Sequence, residues 1–302
     1  MRTCISITVY VATALIILFA VSQAIADEQV TKSFPKKDRI VIETVSGSCL
    51  ILKGESDKID VEVVYDYDPE DSYEPRMKES GSTLRLSEKM YDSNHGYSNW
   101  TVTVPDDVDI EFSSASGSFA VQDLKGEFSV STASGDVELD NCSGQFKLSS
   151  ASGHVYLIKC RGDFDASSAS GDVKAEDCEG RFELSSASGD VDVRKVTVSE
   201  ESNFGTASGD VYVIVAATPQ VDFEVSSASG SATLDYDGNP IKGQFEFRAK
   251  AHGGDIECPF AFDTEETIRR HGERYLVKTA TKDTDTPQIS IGTASGHAEL
   301  RK

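Results

Sequence analysis

The chain has 302 residues and a formal net charge of −22 at pH 7, because 51 Asp and Glu outnumber 29 Lys and Arg. Such an acidic surface repels phosphates and therefore excludes nucleic acid as an expected partner. Its simplest interpretation is a solvated face that keeps the protein soluble. No stretch beyond the N-terminus is long and apolar enough to predict a membrane span.

The N-terminus has the pattern of a secretory signal peptide. Arg2 provides a short positive region, an apolar run covers residues 5–20, and Ala24 and Ala26 form a small-x-small cleavage site. The alternative, an uncleaved membrane anchor, would need a longer apolar run of about 20 residues. Cys4 precedes the apolar run, so the segment contains no lipobox. We therefore expect residues 1–26 to be removed and the mature protein to be exported to the periplasm, the cell surface or the medium.

A turn of sequence Ser/Thr-Ala-Ser-Gly recurs along the remaining chain. Its copies lie at 114–117, 132–135, 150–153, 168–171, 186–189, 206–209, 227–230 and 293–296. From Gly117 to Gly189 the glycines advance in steps of 18 residues, and the next steps are 20 and 21. Weaker copies at 40–51 and 247–258 bring the number of related turns to ten. A fixed period of this size indicates a repeat architecture.

Apolar and polar residues alternate on both sides of each turn, as at Phe146, Leu148, Val155 and Leu157. A period of two indicates β-strands with one buried face, so each copy holds two short strands. Glycine is expected at both corners, in the turn and at positions such as Gly144, because a tight corner favours positive φ. The Ser and Thr hydroxyls of the turn are expected to satisfy backbone groups.

A two-strand unit cannot bury its apolar face alone, whereas stacked copies can. We expect each copy to form one coil about 4.8 Å above the preceding one. This stacking predicts an inner aromatic row of Phe128, Phe146, Phe164 and Phe182. It also predicts an aliphatic row of Val137, Val155, Val173 and Val191 opposite.

Two other repeat architectures fit less well. A three-sided helix of hexapeptides needs apolar positions every six residues, which the copies lack, and a β-propeller needs about 40 residues per blade. The sequence therefore predicts an all-β fold, a parallel β-solenoid or β-helix with coils of about 18 residues. Crossovers between parallel strands are nearly always right-handed, so a right-handed solenoid is favoured. We expect a single domain over residues 27–302, with regular coils at 105–235.

Two excursions, 53–110 and 261–285, interrupt the coils. Strands are expected at 59–67, 83–87 and 100–104, polar loops at 66–78 and 91–98, and a short helix at 265–270. Solenoids need atypical ends that close the core and block edge-to-edge association, so capping is the expected role of both excursions. A binding site on the loops between residues 66 and 98 is the alternative.

The Ser-Gly-Asp-Val turns resemble those of the bacterial putative-adhesin family, a group of exported β-strand-repeat proteins without a defined function. The resemblance includes the coil at 40–51, the entry at 104–110 and the closing strand pair at 289–300. It implies a location in the cell envelope or at the surface, and a role in adhesion or envelope stress. It transfers no catalytic residue, and the chain has no sortase motif.

Cys142, Cys160 and Cys178 are spaced by 18 residues and would form a column. Leu124 and Val196 occupy the same position in neighbouring coils, so the column is best interpreted as a buried row in which Cys packs as a small hydrophobe. A disulfide between adjacent coils or a metal site are the alternatives. Five cysteines remain after cleavage, and this odd number does not suit a complete disulfide framework. The other two, Cys49 and Cys258, also lie at inward positions.

The residue after the turn glycine is often acidic. It is Asp136, Asp172, Asp190, Asp210 and Asp255 in five coils, and Ser48, Ser118, His154, Ser231 and His297 in the others. A column of carboxylates could attract calcium, but one acid per coil is far from the six to eight oxygens that calcium prefers. We therefore expect each Asp to bond its own turn backbone.

No set of residues converges on a catalytic pattern. His95, His154, His252, His271 and His297 lack metal-ligand spacing. Arg161, Lys174, Arg181 and Arg194 are scattered over the coils. We therefore expect a non-enzyme with no cofactor, metal or catalytic residue, which binds a glycan, a protein or another envelope component. A structural or envelope-stress scaffold and a carbohydrate-active β-helix enzyme are the alternatives. Acidic and basic residues clustered in a groove would favour the enzyme, whereas a flat Ser, Thr and Asp face would favour the other two.

Overall fold

The computed structural model describes residues 28–91, 95–270 and 272–302, and most of them lie in β-strands. The predicted signal peptide lies outside the described residues. The only helical element in the described part of the chain is a 3-10 turn at Glu70–Ser72. None of the described segments is a helix with the length and apolar character needed to cross a bilayer.

Twenty-seven strands follow one another along the described chain. The N-terminal ones are β1 (Glu28–Pro35), β2 (Arg39–Thr44), β3 (Ser48–Lys53), β4 (Lys58–Asp68), β5 (Tyr73–Ser80), β6 (Thr83–Met90) and β7 (His95–Val104). The central ones are β8 (Asp109–Ser114), β9 (Phe119–Gln122), β10 (Lys125–Thr132), β11 (Val137–Asp140), β12 (Ser143–Ser150), β13 (Val155–Ile158), β14 (Arg161–Ser168), β15 (Val173–Glu176), β16 (Glu179–Ser186) and β17 (Val191–Val198). The C-terminal ones are β18 (Ser202–Thr206), β19 (Val211–Val215), β20 (Phe223–Ser227), β21 (Ala232–Asp235), β22 (Gly243–Lys250), β23 (Asp255–Glu257), β24 (Thr264–Arg270), β25 (Glu273–Lys282), β26 (Gln288–Thr293) and β27 (His297–Arg301).

The strands form two facing sheets, and each coil contributes one strand to each sheet. Sheet I has the order β5-β6-β2-β8-β10-β12-β14-β16-β18-β20-β26-β22-β25-β24. Sheet II has the order β1-β4-β7-β3-β9-β11-β13-β15-β17-β19-β21-β27-β23. Neighbouring strands are parallel except at the two ends. The predicted parallel β-solenoid is thus confirmed.

The core lies between the sheets and runs from one end of the stack to the other. The predicted phenylalanine row is present: the rings of Phe128, Phe146, Phe164 and Phe182 stack with centroid distances of 5.4, 4.9 and 5.0 Å. The predicted valine row opposite is also present and fully buried. Because inward residues alternate with outward ones, like residues align from coil to coil.

The first Ser or Thr of each turn forms a buried column that ties the coils together. Ser168 shows the pattern: its Oγ donates to the carbonyl of Gly153 one coil below and accepts from the N–H of Gly171 in its own turn, both at 2.9 Å. The same pair of bonds recurs at Thr132, Ser150, Ser186, Thr206, Ser227 and Thr293. This hydroxyl column confirms that the small polar residues satisfy backbone groups.

The backbones of neighbouring coils approach closely at both glycine corners, but the expectation of positive φ holds at only one. Gly144 has a φ of 137°, as predicted. The turn glycine Gly153 has no positive φ; a Cβ there would lie 1.9 Å from the carbonyl oxygen of Gly135 in the neighbouring coil. The turn therefore needs glycine because two backbones approach closely, not because of its dihedral angles.

The stacking order departs from the sequence order at both ends. The coil of β2 and β3 lies between β6–β7 and β8–β9, and the last coil of the chain, β26–β27, lies between β20–β21 and β22–β23. The expectation that every copy rises over the preceding one is therefore wrong at the ends. This arrangement places both excursions outside the outermost coils, where they can cover the core.

At the N-terminal end, β4 and β5 close the core with tyrosine rings. Tyr67 and Tyr73 stack at 4.4 Å, and Tyr65 lies 4.6 Å from Tyr73. The segments 66–78 and 91–98 were expected to be loops, but β5 occupies part of the first and β7 begins at His95. Strand β1 was not predicted at all. These strands form because pairing with β6 and β4 supplies backbone partners that polar side chains alone do not reveal.

The Glu88 carboxylate, at the end of β6, supplies the acceptor that a neighbouring repeat turn would supply to the first turn. In the regular coils, the residue that follows the Ser or Thr of the hydroxyl column donates its N–H to a backbone carbonyl of the coil below, as Ala169 does to Ser150. The equivalent N–H of Val45 donates to Glu88 Oε2 at 2.8 Å. Tyr73, Trp100 and Ser98 donate to Oε1 of the same carboxylate. Burial, followed by the negative charge of Glu88, raises the pKa of Tyr73.

At the C-terminal end, Phe260 and Phe262 pack edge-on against Phe245 and Phe247 of β22 and cover the outermost coil, β22–β23. The predicted helix at 265–270 is wrong, because this segment is strand β24, antiparallel to β25. Gly272, with a φ of 83°, lies in the connection between the two strands. The charge pattern suits a helix, but cross-strand pairing to β25 supplies the backbone bonds.

The outermost strands carry features that block further pairing. Three of these features discourage edge-to-edge association: Lys32 at an inward-facing position of β1, Pro75 in β5, and the charged residues of β24. On sheet II the other edge, β23, is only three residues long. The ends of the stack are therefore poor docking surfaces for additional strands.

We predict that Ser168→Ala lowers the free energy of unfolding by about 1–3 kcal/mol, because the Gly153 carbonyl and the Gly171 N–H lose a buried partner. Ser167→Ala is the matched control, since this outward residue on the same strand should change stability by less than about 0.5 kcal/mol. Urea unfolding followed by circular dichroism measures both. Equal stability of the two variants would contradict the role of the hydroxyl column.

We predict that Glu88→Ala lowers the free energy of unfolding by at least about 2 kcal/mol, because several part-buried donors lose a shared acceptor. Glu79→Ala removes an exposed carboxylate of the neighbouring strand β5 and should cost less than about 1 kcal/mol. Thermal unfolding of the two variants tests the capping role. A Glu88→Ala variant as stable as Glu79→Ala would contradict it.

Candidate functional site

The residue after each turn glycine forms a second column, the acceptor column, along one edge of the stack. Asp190 donates its N–H to Asp172 Oδ1 at 3.0 Å, and Asp210 donates its N–H to Asp190 Oδ1 at 2.8 Å. The pattern extends from Ser48 to His297. Each side chain thus accepts from the next coil. The expectation that each Asp bonds its own turn is wrong, because the neighbouring coil presents an N–H within reach.

These inter-coil bonds explain how a row of like charges is tolerated. Burial raises the pKa of the Asp172 carboxyl, but the Asp190 N–H and the Lys174 ammonium outweigh this effect, so its pKa lies below the usual value. Within the described residues, no group of three or more His, Cys, Asp or Glu side chains is arranged to hold a metal ion. The acceptor column is best described as part of the scaffold.

The cysteine column is part of the core. Cys142, Cys160 and Cys178 are at most 2% exposed, in line with Leu124 and Val196. All five cysteines of the described chain are free thiols, and Cys258 is only half-buried. Contact with Cys142 lowers the pKa of Cys160, but contact with Cys178 and burial outweigh it and raise that pKa to about 12. A thiol that stays protonated at neutral pH is a poor nucleophile and metal ligand.

The other candidate side chains do not converge. The first hydroxyl of each regular turn is engaged in the hydroxyl column, whereas the second serine, such as Ser134 or Ser152, is exposed. His154 belongs to the acceptor column, where its Nδ1 accepts from the N–H of Asp172 at 2.9 Å. His252 and His297 lie in neighbouring coils at the C-terminal end, because β23 and β27 pair at Asp255 and His297, whereas His95 begins β7 at the other end and His271 lies outside the described residues. The described histidines therefore do not gather into one cluster.

A concave surface lies on the outer face of sheet I. Two adjoining depressions, of about 700 and 390 Å³, share Arg181 and together form what we name the trough. Its floor crosses eight stacked strands, β10, β12, β14, β16, β18, β20, β26 and β22, and Thr279 of β25 borders it. Its acidic lining consists of Glu127, Asp163, Asp165, Glu183, Glu201, Asp222, Glu224 and Glu246. Lys147 and Arg181 are the two basic residues of the lining, which also contains Gln145, Asn203, Gln244 and Gln288.

Many of these side chains have no partner in the described structure. Lys147, Asp163, Asp165 and Glu224 form neither an ion pair nor a side-chain hydrogen bond there. On sheet II, three outward cations are paired within their own strand or turn: Arg194 forms two bonds to Asp192, Arg301 forms two to Glu299, and Lys174 pairs with Asp172. The carboxylates of Glu138 and Glu176 on the same face form no ion pair in the described structure. The trough differs in that its unused hydrogen-bonding groups line a concave surface.

Beside the trough runs a column of small outward residues, which we name the small column. It consists of Ser113, Ser131, Ser149, Ser167, Ser185, Gly205, Ser226 and Gly292 in stacking order. Glu43 and Arg248 bound it at its two ends. This strip keeps the outer surface flat next to the charged lining.

Both features that were expected to discriminate between functions occur on sheet I. The small column gives the flat face of a binding or structural protein, and the trough places acids beside Lys147 and Arg181. Of the four basic residues singled out in the sequence, only Arg181 lies in the trough. Arg161 pairs with Glu179, whereas Lys174 and Arg194 lie on sheet II. The sequence did not predict the trough, because the trough joins residues of different coils and their alignment depends on the strand register.

The chain is similar to several solved structures at low identity. A putative adhesin from Bacteroides fragilis is 12% identical over 91% of this chain and 96% of its own, with a TM-score of 0.39. A putative adhesin from Parabacteroides distasonis is 14% identical over 90% and 98%, with a TM-score of 0.37. A putative cell adhesion protein from Clostridium sporogenes is 11% identical over 91% and 99%, with a TM-score of 0.30.

None of the curated proteins matches the chain. The family is nevertheless clear, because residues 37–301, from the start of the first coil to the last strand, match Toastrack DUF4097. The matched segment contains every copy of the turn, the hydroxyl column and the acceptor column. The chain therefore belongs to the Toastrack DUF4097 family, as the resemblance of its turns to the adhesin-type repeat proteins indicated.

Proposed function

We propose that residues 27–302 act, after removal of the signal peptide, as a single exported solenoid that binds a component of the cell envelope or surface without catalysis. The observation that carries this proposal is the trough, which continues across eight stacked strands. An elongated surface of this kind suits an extended partner better than a small molecule, which is usually enclosed in a pocket.

A passive spacer would not need a concave surface that continues over several coils. Within that surface, Lys147 and Glu224 form no ion pair in the described structure, so their charges are available to a partner. The concavity and its unpaired side chains support a binding role for sheet I.

A carbohydrate-active enzyme is the second candidate, because Arg181 lies 3.9 Å from Glu183 within the trough. Acid–base catalysis by a carboxylate works best in a site that excludes water. The side chain of Glu183 is 46% exposed, and that of Arg181 is 42% exposed. The open geometry supports binding rather than bond cleavage.

Location and binding can be tested together on the native cell and the mature protein. We expect fractionation of the native cell to recover the protein outside the cytoplasm, starting near residue 27. We expect the purified mature protein to be retained on insoluble envelope material. Recovery from the cytoplasm alone would contradict export, and release of new reducing ends from the envelope polysaccharide would contradict the non-catalytic role.

We predict that the double variant Asp165→Lys, Glu224→Lys reduces retention on envelope material at least about tenfold, since it reverses two unpaired charges in the trough. The matched control is Glu176→Lys, Glu257→Lys, which makes the same change of charge on sheet II. A sedimentation assay measures both. Equal retention of the two double variants would show that the trough is not the binding surface.

A further inference from the structure

We propose that the ligand of the trough is an unbranched polysaccharide that carries free amino groups. This inference rests on the proposed function and specifies its partner. It follows from four properties of the trough: its length, its charge, the chemistry of its lining, and two glycines that nothing within the protein requires.

The length of the trough points to the interior of a polymer. Eight neighbouring strands at a spacing of about 4.8 Å give roughly 34 Å along the axis of the stack. The columns of outward residues follow the same axis, so a ligand lying there meets a similar set of groups at each step. A linear polymer with a short chemical repeat fits such a surface.

The charge of the trough selects the sign of the ligand. Eight carboxylates and two cations line it, and the chain as a whole is strongly acidic. A polymer with uronic acid or phosphate groups would be repelled, whereas protonated amines would be attracted. Asp163 lies opposite Arg181 and Asp165 lies opposite Lys147 on neighbouring strands, whereas Glu224 lies opposite Asn203 and Ser290. A ligand ammonium at Glu224 would therefore not compete with a cation of the protein.

The chemistry of the lining favours a saccharide over a basic peptide. Every floor strand has neighbours on both sides, so an added peptide strand finds no free backbone edge in the floor. The phenylalanines that border the trough, such as Phe146 and Phe223, are at most 4% exposed and provide no pocket for an apolar anchor. What remains exposed is carboxylate, amide and hydroxyl groups, which bond sugar hydroxyls and amines.

Gly205 and Gly292 indicate where the ligand approaches. They replace serine in the small column, have no positive φ, and a Cβ at either position would have no contact closer than 3.7 Å. Glycine within a strand weakens it, and one known reason for its presence is the close approach of a ligand. Next to Gly205, the Oδ1 atom of Asn203 is buried without a hydrogen-bond partner. A donor from a ligand could satisfy this atom.

The test uses isothermal titration calorimetry on the mature protein with four probes. These are an oligomer of glucosamine, the fully N-acetylated oligomer of equal length, an oligomer of galacturonic acid, and oligolysine. We expect the glucosamine oligomer to bind at least about tenfold more tightly than the acetylated one, because a charged hydrogen bond contributes that much. The affinity should fall as salt is raised.

Two variants connect the binding to the proposed location. Gly205→Val places a branched side chain in the small column, where the space is open, and should weaken binding of the glucosamine oligomer at least about tenfold while the protein stays folded. Ala120→Val is the control, an outward substitution on sheet II that introduces the same side chain. Circular dichroism verifies the fold of both.

The outcomes separate this inference from the proposed function. Equal affinity for the acetylated and deacetylated oligomers, with both lost in Gly205→Val, would overturn the amino-group requirement and leave the trough as a glycan site. Oligolysine binding as tightly as the glucosamine oligomer would overturn the saccharide. Binding that Gly205→Val does not change would overturn the trough as the site, and with it the proposed function.

Discussion

The fold depends on the contact between successive turn glycines. The backbone of each turn lies so close to the next that a Cβ at Gly153 would overlap the carbonyl of Gly135, and one at Gly171 would overlap that of Gly153. This close approach allows the Ser168 hydroxyl to reach one coil down and the Asp172 carboxylate to receive an N–H from one coil up. Register is thereby fixed at every step, and a slip would lose the bonds of both columns.

A fixed register has consequences for everything that points inward. Phenylalanine stacks on phenylalanine and cysteine lies above cysteine because the repeat leaves no alternative alignment. The cysteine row shows how strong this effect is: three thiols that could form a disulfide or a metal site in another context are held as ordinary core residues. Their spacing of 18 residues follows from the coil length.

The ends show what the stack lacks when no further coil is present. A regular turn relies on its neighbours for backbone partners, so the first turn needs a substitute. Glu88 provides an acceptor for the N–H of Val45 at one end. At the other end, Phe260 and Phe262 pack against the rings of Phe245 and Phe247. Returning the last coil, β26–β27, to a position inside β22–β23 keeps the C-terminal excursion on the outside. Order in the stack is thus set by the need to cover the core.

The sequence predicted those parts of the fold that repeat. The 18-residue period identified the coils, the phenylalanine row and the buried cysteines, since each is visible in a single copy and multiplied by stacking. The sequence did not predict the elements whose hydrogen-bonding partners lie outside a single copy of the repeat. The charges of 265–270 suit a helix until β25 is known to lie beside them, and β5 could not be identified without β6. The acceptor column was misassigned because the N–H that Asp172 meets belongs to a residue 18 positions away.

The trough was invisible in the sequence for a related reason. Stacking constrains the inward and turn positions but leaves the outward ones free, so Asp165, Arg181 and Glu224 each look like ordinary solvated residues. Only their alignment on neighbouring strands makes a surface of them. On sheet II the same freedom was used differently, because Asp192 and Arg194 are two apart on one strand, face the same side and neutralise each other. In such a solenoid, only the outward residues that the scaffold does not need are free to specify a partner.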